Sequence, residues 1–155
     1  MKQKDYFTSI IVKATPGEAF KSIKSVDKWW TENIEGQTAK KGGQFKVSFG
    51  TTWKVFHIEE FIQGKKIVWL VRDCMMPWNK NKTEWTGTKI IFEISEKQKG
   101  TQILFTHKGL VPAFACYDAC ENAWGEYIHE SLKPLIEKGK GKPDLKKKKA
   151  IAEKS

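Results

Sequence analysis

His107 and three cysteines carry most of the chemistry this chain could perform. Ile103, Phe105 and His107 alternate with Gln102, Thr106 and Lys108, so the imidazole shares the side of the apolar residues near the end of a strand. There it could orient a ligand carbonyl or exchange a proton near neutral pH. A histidine bonded to backbone or to Tyr117 answers the same pattern, and a structural or ligand-orienting role is the expectation. Cys116 and Cys120 are four apart and share one helical face. With His107 they would make three zinc ligands, but the sequence offers no fourth group and no outer shell, so buried inert thiols and no metal are expected. An acid–base enzyme of cyclase or hydratase type would pair His107 with Asp73 or Glu59 and use Tyr117 to stabilise an oxyanion. There is no nucleophile elbow, phosphate loop or HExxH. The reading leans away from catalysis, and no catalytic residue or cofactor is assigned.

The stronger pattern is aromatic. Phe49, Trp69, Val71, Phe92, Phe105, Tyr117, Cys120 and Trp124 fall on the inward sides of strands and of the last helix. Such a set either fills a dry core or walls a cavity for an apolar or amphipathic small molecule. Met75, Met76 and Trp78 follow in a segment that breaks the strand pattern, and they suit a flexible lid, because Met adapts its shape and Trp offers area with one polar handle. His107 completes the expected ligand-binding set.

These side chains need elements to hold them. Phe7 to Lys13 reads as a strand. Thr15 is placed as an N-cap, with Pro16 at the first helical position and Glu18 as the returning acid of a capping box, so a short helix runs to about Ile23. Asp27 is placed as the cap of a further turn that includes Trp29 and Trp30. Phe45, Val47 and Phe49 alternate as a half-buried strand. From Trp53 to Ile62 the parity is divided, since Val55 and His57 compete with Phe56 and Ile58, and a bulge is expected. Ile67, Trp69 and Val71 mark a fourth strand, a loop runs from Cys74 to Lys82, and Thr88, Ile90, Phe92 and Ile94 mark a fifth. The sixth ends at His107. A long helix from Ala113 to Glu137 follows, and Pro134 should kink or end it near Leu132 unless the final turn re-forms.

A length of 155 residues suits one domain. With 39% hydrophobic and 12% aromatic residues, the body is not a disordered chain. No apolar run is long enough to span a bilayer, so no membrane insertion is expected. Met1 to Asp5 is polar and leads into strand, which with the odd number of thiols points to a cytoplasmic protein. The net charge is +10, of which +6 lies between Lys138 and Ser155, where eight Lys meet only Asp144 and Glu153. The basicity is therefore mostly a tail, and no specific nucleic-acid partner is expected. Residues 1–141 are assigned to the domain and 142–155 to a Lys-rich flexible tail.

Several landmarks appear in a fixed order: Trp29-Trp30 after the first helix, Trp85, Thr86, Gly87 and Thr88 entering a strand, and Gly100-Thr101 entering the next. Thr106, His107, Lys108, Gly109 and Leu110 leave that strand, and Trp124 precedes Ser131, Leu132 and Lys133. In this the chain resembles the SRPBCC (START-like, helix-grip) superfamily, and within it the branch named after the C-terminal domain of the heat-shock-protein-90 ATPase activator. The resemblance implies an α+β helix-grip fold, here a curved antiparallel sheet of six strands or more around a long C-terminal helix, with a deep apolar cavity between them. It also implies three functions: binding a hydrophobic small molecule, which is the leading expectation; contact with a chaperone; or small cyclase-type chemistry in the same cavity. Fold alone does not choose among them. The expected assembly is a monomer or weak dimer.

Overall fold

The structure, a computed structural model, describes residues 4–145. The strands are β1 (Tyr6–Val12), β2 (Ile34–Gly36), β3 (Gln44–Phe49), β4 (Thr52–Ile62), β5 (Lys66–Met75), β6 (Lys89–Lys97) and β7 (Gly100–Lys108). They form one antiparallel sheet in the order β1-β7-β6-β5-β4-β3-β2. The helices are α1 (Pro16–Lys24), α2 (Val26–Trp29), α3 (Tyr117–Tyr127) and α4 (Lys133–Lys138), with a π turn over Ile128–Leu132 that makes α3 and α4 one continuous rod. This is the α+β helix-grip arrangement. Its seventh strand, β2, is three residues ending in glycine, too short to show a period in the sequence.

Local chemistry explains the boundaries. Thr15 accepts from the Glu18 amide at 3.1 Å while the Glu18 carboxylate accepts from the Thr15 amide at 2.9 Å, so the capping box starts α1 as expected. In β4, Thr52, Lys54, Phe56 and Ile58 are buried, and the register against β5 shifts between Val55 and Phe56 and again between Ile58 and Glu60. The bulge read from the sequence is real, and it settles the parity on the Phe56 side. The loop after β5 begins later than Cys74, because Trp53 and Lys54 still pair with Met75 and Cys74.

The rod does not break at Pro134. The Lys133 amide bonds the Ile128 carbonyl, five residues back, and this wider turn makes room for a proline that would clash in a tight α turn. It also turns Ser131 inward. The Ser131 hydroxyl donates to Trp29 O at 2.7 Å and accepts from the Lys142 amide at 2.6 Å. The chain then runs beside α2 and β2, with Asp144 N bonding Trp30 O and Glu32 N bonding Asp144 O, each at 2.8 Å. Residues 142–145 are thus docked on the domain rather than part of a free tail, held by the backbone bonds of Asp144 on either side of Thr31 and by the Asn33 side chain on Leu145 O. Residues 146–155 lie outside those described.

One buried relay seats the rod on the sheet. Trp124 Nε1 donates to His107 Nδ1 at 3.0 Å. That makes Nδ1 the acceptor, so Nε2 carries the proton and donates to Thr88 Oγ1 at 2.8 Å. Thr88 in turn donates to Trp85 O at 2.6 Å. Every polar hydrogen in the series has a partner, and His107 is fully buried. Burial, reinforced by the Lys54 charge, lowers its pKa to about 3.

Two outcomes follow from this packing. Trp124 is 2% exposed, and Trp124→Ala should cost about 3–5 kcal/mol in urea denaturation, since it leaves a large void and orphans His107 Nδ1. His107 stays neutral in the fold but protonates near pH 6.5 when unfolded, so the unfolded state binds the extra proton and stability falls as pH drops below that value. Between pH 7 and 5 the unfolding free energy should fall by about 2 kcal/mol from this group, and denaturation of His107→Gln should show that slope largely removed.

Candidate functional site

The rings expected to wall a cavity beneath the rod mostly touch one another instead. Trp124 meets Phe105 at 4.6 Å between ring centroids, Phe105 meets Phe92 at 5.2 Å, and Phe92 meets Trp69 at 5.0 Å. Trp69, Val71, Phe92 and Phe105 are each no more than 1% exposed. The centre is therefore a solid aromatic core. His107 belongs to it, with both ring nitrogens occupied by Thr88 and Trp124.

The open space lies to one side of that core, where the β3–β4 turn, the β5–β6 loop and one flank of α3 converge. It is a cleft of about 440 Å³. Trp30, Trp85 and Trp124 form its inner surface, with Phe49 and Tyr127 on one flank and Ala119, Cys120 and Ala123 presented by α3. Trp30 is the hinge between core and cleft: it lies 5.0 Å from Trp124, 6.1 Å from Trp69 in a stacked pair, and 5.6 Å from Phe49. Short α2 places it there, anchored by its neighbour Trp29, whose Nε1 donates to Ile23 O at 3.0 Å.

Of the residues expected to bind a ligand, Phe49, Trp78, Cys120 and Trp124 line this cleft, whereas Trp69, Val71, Met75, Phe92, Phe105, His107 and Tyr117 do not. Met75 is half-buried within β5, and Tyr117 is half-buried at the start of α3. The lid is also not the loose flap expected. Met76 is fully buried, its amide bonds Lys82 O at 2.8 Å, and buried Asn79 ties the loop to Asn81 O and Glu84. Trp78 alone overhangs the cleft, 55% exposed, with Nε1 donating to Thr52 Oγ1 at 2.9 Å.

Glu84 couples this loop to α3. Its carboxylate accepts from the Ala115 and Cys116 amides at 2.9 and 3.1 Å, which satisfies orphan donors at the start of a helix that has no cap of its own. Burial alone would raise its pKa, but the hydrogen bonds from Asn79 and the two amides hold it below the ordinary carboxylate value.

Sequence reasoning missed Trp30, Trp85, Thr52, Tyr127 and, most consequentially, Lys54. Lys54 is 7% exposed and reaches into the cleft. Its ammonium lies 4.0 Å from the Trp85 ring centroid and 5.3 Å from that of Phe49. Burial lowers its pKa to about 8. The readable signal was parity: once Phe56 and Ile58 face inward, Lys54 two residues earlier must do so too.

The thiols sit beside it. The pairing with Cys116 lowers the Cys120 pKa against the opposing effect of burial, with Trp85 Nε1 at 3.3 Å and the Lys54 charge acting the same way, while that pairing and burial raise the pKa of Cys116. No metal-ligating cluster occurs among the described residues. The acid–base pair considered from the sequence is not assembled, because Glu59 is bound to Lys89 at 2.9 Å and Asp73 is exposed. No helix among the described residues is long and apolar enough to cross a membrane.

Comparison with known proteins agrees with this architecture. The fold is similar to the Aha1 dimer from Colwellia psychrerythraea, with a TM-score of 0.73 at 24% identity over 89% of this chain and 99% of that one. A Bacillus halodurans protein matches with a TM-score of 0.68 at 15% identity, covering 88% of this chain and all of that one. DynU16, from the dynemicin biosynthetic locus, matches at 0.65 and 13% identity over 92% of this chain and 52% of its own. No curated protein sequence matches. Across residues 18–137, from α1 to the end of the rod, the sequence matches the family described as Activator of Hsp90 ATPase homolog 1-like protein, and the chain belongs to that family.

Proposed function

We propose that the protein binds a hydrophobic or amphipathic small molecule in the cleft beside α3. The observation that carries this reading is the surface itself, about 440 Å³ of open space faced by four tryptophans, Phe49 and Tyr127, with few polar groups. That volume is in the range of small-molecule sites, about 300–1,000 Å³. Rigid indole faces favour flat or ring-bearing guests, because stacking adds to the area removed from water.

Family membership supports a second reading, contact with a heat-shock-protein-90 ATPase through the outer surface. The two separate cleanly, since one needs the cleft and the other does not. Titration calorimetry with 1-naphthaleneacetamide, a neutral ring probe, should detect saturable binding to the full chain. Ala123→Trp places a bulky side chain at the cleft and should abolish that binding while leaving the denaturation midpoint nearly unchanged, because Ala123 is exposed. No binding of ring probes to the unaltered chain, together with stimulation of a purified heat-shock-protein-90 ATPase, would replace the first reading by the second.

A further inference from the structure

Lys54 occupies a strand position whose neighbours on the same face, Thr52 and Phe56, are also buried. An ammonium taken out of water normally acquires a counterion or a set of acceptors, because its lost hydration is otherwise uncompensated. Here it has no carboxylate and no protein acceptor, and its nitrogen is left facing the open cleft. Among the described residues no carboxylate lines the cleft, and Lys54 makes no ion pair or hydrogen bond. It lies over the faces of Trp85 and Phe49, which attract a cation but carry no net charge. The thiols of Cys120, Cys74 and Cys116 are the ionisable groups that act on it, and the Glu84 carboxylate, which acts on Cys116 and Cys120, is engaged by Asn79 and the two α3 amides.

The cleft thus presents an apolar floor with a single lysine and, among the described residues, no carboxylate beside it. Thr52 adds a donor, since its oxygen accepts from Trp78 while its own proton stays available. One cation and one hydroxyl match a monoanion. A phosphate would call for several more donors, of the kind that helix starts and arginines supply. We propose that the cleft is a site for ring-bearing or aliphatic monocarboxylates, with the carboxylate held by Lys54 and Thr52 and the apolar part lying against Trp30, Trp85 and Trp124. This deepens the small-molecule reading and rests on it. The lowered pKa of Lys54 fits an amine prepared for an anion: a bound carboxylate would restore the charged form that burial disfavours.

The test compares 1-naphthaleneacetate with 1-naphthaleneacetamide, equal in shape and differing in charge, by titration calorimetry on the full chain. The acid should bind about ten- to a hundredfold more tightly than the amide, the range expected of a buried charge-assisted bond. Lys54→Met should bring that ratio to about one, and Lys54→Arg should keep most of it. The denaturation midpoint of each variant shows that it is folded. Equal affinity of acid and amide for the unaltered chain overturns the carboxylate assignment and leaves the cleft reading intact. Preference for the acid that survives Lys54→Met also overturns it. Binding of neither probe overturns both.

Discussion

The bond from Trp124 Nε1 to His107 Nδ1 is the contact on which the rest of the architecture turns. It joins the rod to β7 through a histidine with no access to solvent, and the same indole meets Phe105 and Trp30 in tilted contacts at 4.6 and 5.0 Å. Because the ring must fill that position, the middle of the sheet cannot hold a guest. Aromatic-walled space survives where the rings run out, toward the β3–β4 turn and the Trp85 loop. The same relay continues through Thr88 to the carbonyl of Trp85, so the residue forming one wall of the cleft is positioned by the interaction that closes the core.

A second constraint acts at the far end of the rod. Pro134 forces a wider turn, and that turn rotates Ser131 to face Trp29 and Lys142 together. The following chain passes so close that Gly141 has no room for a side chain: a Cβ there would overlap Lys28 O and Ser131 O. Gly139, at φ 80°, ends the helix in the left-handed conformation that sets this direction. The segment that results braces Trp30 from behind through its carbonyl. Core, rod and C-terminal strap therefore converge on one indole.

Much of the fold could be read from the sequence because period and caps are local. The alternation of Ile90, Phe92 and Ile94, the inward side of Ile103, Phe105 and His107, and the Thr15 cap are each set by residues within a few positions. The site was less legible. Inward-facing residues can be named from parity, but which inward rings touch and which leave a gap depends on how α2 brings Trp30 across the sheet, and no local pattern encodes that. Lys54 was hidden because Val55 and His57 compete with Phe56 and Ile58, so the sequence alone left open which side of β4 faces inward. Trp78 and Met76 are two residues apart, yet one is exposed over the cleft and the other fully buried, a difference set by Asn79 and Glu84 folding the loop upon itself.

The tryptophans also have an optical consequence. Trp29, Trp30 and Trp69 follow one another at centroid spacings of 5.9 and 6.1 Å, and Trp124 and Trp85 extend the series from Trp30 at 5.0 and 5.8 Å. Indoles this close share their electronic transitions, so absorbed light is not confined to the ring that receives it and the near-ultraviolet dichroism belongs to the ensemble. Three of those five rings face the cleft. Any molecule entering that cleft would perturb the spectrum of the whole array, so the protein carries its own chromophore for reporting what happens there.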